Sequence, residues 1–205
     1  MPCGIEGPDG MHMDVVRESA SAPGSRASMS IVRPRSHWES ARKGDLRVGG
    51  LDRPTPGSIA DPFTVLAELR QQGLIRHLGV SNVSAEQLTE AQSIAPVVCV
   101  QNVFNVASRY DSELVSHCAR EGIAYIPFFP LGGFTPLQSM VLDTVAARVG
   151  ASPRQVALAW LLQHSPTILL IPGTSSVAHL RDNIAAADIE LPADAVEELD
   201  RIGAR

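Results

Sequence analysis

From residue 75 onward, short apolar runs almost free of charge alternate with longer amphipathic segments. The runs lie at 75–80, 97–103, 123–128 and 168–171, the last reading ILLI. The last run is apolar throughout and has no face to give to water, so it predicts a buried parallel strand. Strand and helix at βαβ spacing predict an α/β fold with a parallel sheet. Alternation alone fits either a doubly wound sheet or a (β/α) barrel. The polar residues Ser81-Asn82, Gln101-Asn102 and Thr174-Ser175, with Phe128, fall at the predicted carboxyl ends of strands. A barrel gathers those ends around one mouth, which favours a (β/α) barrel of the TIM-barrel type.

The segments between the runs carry helix signals. Residues 61–72 hold apolar positions at 63, 66 and 69 with Gly73 as a stop, and Ser84 with Gln87 makes a capping box for a helix to about 94. A further helix is predicted over 111–121. After the loop at Pro130 come two more, the first with Leu137, Val141, Val145 and Val149 on one face. The second is capped by Ser152, with Pro153 at its first position and Gln155 closing the box. Its stretch 156–162 is apolar nearly all round. The run at 168–171 turns through Pro172-Gly173-Thr174-Ser175-Ser176 into a helix to about 187, and a last helix covers about 192–202. Small hydroxylated residues at that turn fit an anion held by backbone N–H groups and the helix dipole, or a plain helix cap.

Residues 1–43 sustain no apolar period, and Ser, Pro, Arg and Gly interrupt each candidate element. They predict an irregular, poorly packed or disordered segment with 29–32 its only strand-like part, ahead of a single domain at 44–205. His12, His37 and Trp38 have no partners at catalytic or metal-ligand spacing. A net charge of −5 without a basic stripe argues against nucleic acid. No apolar run approaches membrane-spanning length, and the first residues lack a secretion signal, so a cytoplasmic location is expected. Cys3, Cys99 and Cys118 are odd in number and widely spaced, which predicts neither a disulfide framework nor a metal site. Cys99 and Cys118 read as core residues.

GLIRHLGVSN, VVCVQNVFN, IAYIPFFPLGGF, SPRQVALAWLL and ILLIPGTSSVAHLRDNIAA, in that order, resemble the carboxyl-terminal half of the aldo-keto reductases over about residues 45–202. The resemblance implies a (β/α)8 barrel that uses NADPH, or less often NADH, to reduce aldehydes and ketones, with a small-molecule carbonyl substrate as partner. It places Ser81, Asn82 and Gln101 on the nicotinamide carboxamide, where fixed donors and acceptors orient a flat ring. Phe128 stands where an aromatic, usually tyrosine, stacks on the nicotinamide. Pro130, Leu131, Gly132 and Gly133 resemble the pyrophosphate loop. Pro172, Gly173, Thr174 and Ser175 resemble the cradle of the adenosine 2′-phosphate, with His179 and Arg181 nearby and Asn183 on the adenine. Gly173 departs from the many relatives with a lysine near there. Arg181 or His179 is then the implied positive charge, and NADP is preferred to NAD.

The family's chemistry needs a tyrosine acid, a lysine paired with an aspartate, and a histidine, all from the amino-terminal half of its barrel. This chain has two tyrosines, Tyr110 and Tyr125, both within the matched half, and one lysine, Lys43, which matches nothing. In DLRVGG, Arg47 falls at or near the histidine's position. About three strands of the barrel are unmatched, as expected of a truncated gene, a wrong start or an upstream frameshift. The resemblance therefore implies an oxidoreductase by family with little expected activity of this chain alone. The alternative is a non-catalytic NADP(H)-binding or regulatory protein derived from the same barrel. Oligomeric state is not legible.

Overall fold

Side-chain hydrogen bonds at Ser84, Ser139, Ser152 and Ser176 fix the starts of four of the described helices. The computed structural model describes residues 54, 56–132 and 139–202, together with the strands Cys3–Glu6, His12–Val15 and Met29–Val32. Arg47, Lys43, Leu137 and Gly133 lie outside the described residues, as does the strand end expected at 45–49. The chain forms two compact units, Met1–Asn102 and Val103–Arg205.

In the first unit, β1 (Cys3–Glu6) pairs antiparallel with β2 (His12–Val15). The strand β3 (Met29–Val32) runs parallel to β4 (His77–Ser81), which runs parallel to β5 (Val97–Gln101). Neither β1 nor β2 carries a periodic signal in the sequence. Helix α1 (Ala60–Gln71) buries Phe63, Leu66 and Ala67, and Gly73 follows it at φ 74°. Helix α2 (Ala85–Ile94) starts on the expected box: Ser84 Oγ accepts from Gln87 N at 3.3 Å, and Gln87 Oε1 accepts from Ser84 N at 2.9 Å. The Glu90 carboxylate accepts from Ser58 Oγ at 2.5 Å and Ile59 N at 2.7 Å, tying the start of α1 to α2. Leu78, Val80, Leu88, Ala91 and Val100 are fully buried between sheet and helices. Asn102, expected as a polar strand-end ligand, is instead a clamp. Its amide is fully buried, accepting from Val83 N at 3.1 Å and donating to Val83 O at 2.8 Å.

In the second unit the apolar run at 123–128 shortens to β6 (Ala124–Tyr125). Tyr125 N donates to Thr167 O, and Leu169 N to Tyr125 O, each at 2.9 Å. The next donor of that parallel ladder would be the N–H of residue 127, which is proline and has none. The expected buried strand at 168–171 is thereby reduced to a bridge at Ile168, with Leu169 55% and Ile171 44% exposed. Phe128 makes a separate parallel bridge to Val103.

Helix α3 (Ser112–Glu121) ends at Gly122 in the left-handed region. Helix α4 (Met140–Val149) buries Leu142, Val145 and Ala146, while Val141 stays exposed. A stripe spaced by fours drifts about 40° per step around a helix, so the buried face mixes threes and fours. Helix α5 (Pro153–His164) has the expected Ser152/Gln155 box and buries six successive residues, Val156 to Leu161. Helix α6 (Val177–Ala185), a 3-10 turn at Ala186–Asp188 and α7 (Ala193–Asp200) follow.

Phe104 is central to the core of this unit. It stacks on Trp160 at 5.8 Å between centroids and meets Tyr125 edge-on at 5.9 Å. Asp200 Oδ1 accepts from Trp160 Nε1 at 2.9 Å and from Arg109 at 3.1 Å, fastening α7 to α5. Cys99 and Cys118 are buried, and burial pushes the Cys99 thiol up to about 11. Among the described residues, no helix is long and apolar enough to cross a membrane.

Two predictions follow from these packed polar groups. Replacing Asn102 by alanine strips both partners from the buried Val83 peptide and should cost about 2 kcal/mol, read as a lower urea midpoint. Tyr125 donates to Asp111 Oδ2 at 2.7 Å, and burial, with the Asp111 charge beside it, raises its pKa well above 10.0. The phenol's contribution is thus complete below pH 10.0 and is lost as pH rises through the higher folded value. Tyr125→Phe should be the less stable protein at pH 7, with the gap narrowing above pH 10.0 in urea titrations at successive pH values.

Candidate functional site

Each unit presents polar or cavity-lining residues at strand ends. In the first, Ser81 ends β4 and stands in register with Gln101, which ends β5. Ser81 Oγ donates to Gln101 O at 2.8 Å, and Asn82 N donates to the same carbonyl at 2.9 Å. Ser81 and Asn82 are buried and Gln101 is half-buried. Asn82 turns the chain at φ 57°, a left-handed conformation that asparagine adopts at low cost. The three expected carboxamide ligands therefore do come together. The Ser81 proton, however, is already given to the backbone, which leaves its oxygen as an acceptor.

In the second unit a cavity of about 520 Å³ opens between three stretches that are far apart in sequence. One wall is Phe128, Phe129, Pro130 and Leu131; another is Ile171, Pro172 and Gly173; α4 and α5 add Leu142, Pro153, Arg154 and Ala157. Of the expected ligands, Phe128, Pro130, Leu131, Pro172 and Gly173 meet here. The first wall is a tight turn. Phe129 sits at φ 55°, and its carbonyl accepts from Gly132 N and from Asn105 Nδ2, both at 3.0 Å. Asn105 Oδ1 accepts in turn from Ala107 N at 2.9 Å and Ser108 N at 3.0 Å. A phenylalanine held at positive φ costs about 1–3 kcal/mol, which these bonds and the ring contact with Phe128 at 5.2 Å offset.

The turn after Gly173 is held by side-chain bonds of its own. Thr174 Oγ1 accepts from Ser176 N at 3.1 Å, and Ser176 Oγ accepts from His179 N at 3.4 Å. The cap of α6 is thus Ser176, while Thr174 shapes the turn and Ser175 is exposed. Asn183 Nδ2 donates to Pro172 O at 3.3 Å, bracing the strand end against the helix. Thr174, Ser175, His179 and Arg181 are exposed and do not line the cavity, and neither does Gly132. A side-chain carbon at Gly173 would meet nothing within 4 Å, so this glycine leaves open space beside the cavity.

Arg154, Phe129 and Leu142 escaped sequence reasoning. The box around Pro153 does put Arg154 in the first turn of α5, but which strand end that turn faces is a tertiary fact. Tyr125, buried and bonded to Asp111, cannot give a proton to a ligand, and Tyr110 lies exposed beside it in sequence. Among the described residues, no three His, Cys, Asp or Glu side chains gather as metal ligands would.

The model of the Aldo/keto reductase family matches residues 37–204, beginning somewhat earlier than the motifs place it. The chain is 60% identical over 160 residues to pyridoxine 4-dehydrogenase of Escherichia coli (strain K12), covering 77% of this chain and 56% of that protein. The thermostable aldo-keto reductase Tm1743, solved with the inhibitor epalrestat, superposes with a TM-score of 0.66 at 34% identity, over 74% of this chain and 57% of that one. An aldo-keto reductase from Klebsiella pneumoniae, solved with NADPH, gives 0.65 at 25% identity, over 86% of this chain and 70% of that one. The chain spans about half the length of the curated relatives it matches, 56% and 47% for two of them. Its parallel sheet and alternating helices are part of the TIM-barrel fold those structures share. The chain belongs to the aldo/keto reductase family, a family of oxidoreductases.

Proposed function

We propose that this chain carries the NADP(H)-binding half of an aldo-keto reductase that interconverts a carbonyl and an alcohol in the cytoplasm. The observation that supports this best is the cavity of about 520 Å³, within the size range of ligand pockets, with one aromatic wall and one cation. The residues fit the group. Phe128 offers a ring face for the nicotinamide, and Pro130, Leu131 and Pro172 supply apolar walls with Gly173 leaving space between. Ser81, Asn82 and Gln101 are the proposed carboxamide contacts, and Thr174, Ser175, His179, Arg181, Asn183, Gly132 and Gly133 the proposed contacts to the rest of the dinucleotide.

When bound, NADPH would supply the hydride for carbonyl reduction. What the chain's own residues contribute is orientation: a stiff aromatic turn and the first turn of α5. The proton must come from elsewhere, because neither Tyr110 nor Tyr125 lines the cavity. Binding without catalysis is the expected behaviour of these 205 residues alone. The same lack of a placed acid favours, as a second reading, a non-catalytic NADP(H)-binding protein. If a complete barrel is encoded, the E. coli relative points to pyridoxine and its 4-aldehyde as the first substrate pair to assay.

Titration of the chain with NADPH, followed by cofactor fluorescence, should show saturable binding, and Phe128→Ala should weaken it by about 1 kcal/mol, roughly fivefold in Kd. Mixing with NADPH and an aromatic aldehyde should give no measurable loss of cofactor absorbance. Equal affinity in the Phe128→Ala protein would remove the stacking role. Turnover by the chain alone would replace the binding reading with a complete enzyme.

A further inference from the structure

The charged groups expected to meet the cofactor's phosphates and the charged group that faces the cavity are different residues. His179 and Arg181 sit on α6, exposed and away from the lining, and Thr174 and Ser176 do not line the cavity either. The cavity wall contains one charged side chain, Arg154, among otherwise apolar neighbours. Two arginines of this unit are fastened to acids: Arg109 to Asp200 at 3.1 Å, and Arg148 to Glu198 at 2.9 Å and Asp194 at 3.4 Å. Arg154 has no such partner among the described residues, and its side chain is exposed to solvent at the cavity edge. A guanidinium presents a planar fork of N–H donors suited to phosphate oxygens, and beside an apolar wall that attraction is screened less than in bulk water.

We infer that Arg154, rather than Arg181 or His179, is the residue that binds a phosphate group of the dinucleotide in this cavity. The assignment rests on the NADP(H) reading above and deepens it. It also separates two roles that the sequence ran together. Ile171, Pro172 and Gly173 shape one wall, and the first turn of α5 brings the charge.

The experiment measures Kd for NADPH, NADH and inorganic pyrophosphate with the unaltered chain and with Arg154→Met, Arg154→Lys, Arg181→Met and Arg120→Met. Arg154→Met should raise the NADPH Kd about tenfold, as loss of a charge-assisted phosphate contact does, and Arg154→Lys should recover part of it. Arg120, exposed on α3 and remote from the cavity lining, controls for net charge and should change nothing. Weakening confined to NADPH would place Arg154 on the 2′-phosphate; equal weakening of NADPH, NADH and pyrophosphate would place it on the bridge, and either supports the inference. Unchanged affinities in Arg154→Met, or a larger loss in Arg181→Met, overturn it while leaving the NADP(H) reading intact. If the unaltered chain shows no saturable NADPH binding, that reading falls and the assignment falls with it.

Discussion

Among the described residues, two other than glycine stand in the left-handed region, Asn82 and Phe129, and an asparagine carboxamide holds the chain at or beside each of them. Asn102 grips both polar groups of the Val83 peptide, next to Asn82. Asn105 donates to the carbonyl of Phe129 itself while its oxygen takes two N–H groups of its own loop. A carboxamide is the side chain that imitates a peptide, donating and accepting on one planar face. In each unit it does what the next strand's backbone would otherwise do, beyond the point where the ladder ends. The candidate ligands depend on this, because Asn82, Phe128 and Pro130 all hang from those turns.

Burial gives the turns something to be fixed against. In the second unit Phe104, Trp160 and Tyr125 form an aromatic centre, with Asp200 gathering the indole and guanidinium protons that packing would otherwise leave buried without acceptors. Helix α5 supplies six consecutive buried residues to that centre, and its first turn then emerges at the cavity. A helix so fully buried has little freedom to rotate, so the position of Arg154 follows from the packing of Trp160 and its neighbours.

Local chemistry was legible in the sequence; tertiary geometry was not. Both capping boxes could be read because Ser84 with Gln87, and Ser152 with Gln155, complete their bonds within one helical turn. The parallel order of β4 and β5 followed from charge-free runs at βαβ spacing, and the quoted motifs carried the family. The extent of the run at 168–171 was misjudged because its ladder depends on a donor that residue 127, forty residues earlier in the chain, does not have. The buried face of α4 was read from fours alone and came out rotated. The pairing of β1 with β2 is non-local in a segment without period, and no pattern announced it. Of the cavity lining, Phe128, Pro130, Leu131, Pro172 and Gly173 lie in motifs that carry the resemblance, whereas Arg154 belongs to no signal beyond its place near a helix start.

Pro127 and Pro130 flank the two phenylalanines of the aromatic wall, and each fixes one backbone torsion whether the protein is folded or not. The unfolded chain therefore surrenders less freedom when this turn forms, and most of that loss is incurred before any guest arrives. A guest of the cavity meets a wall that is already preorganised, so its affinity is spared the ordering of this turn.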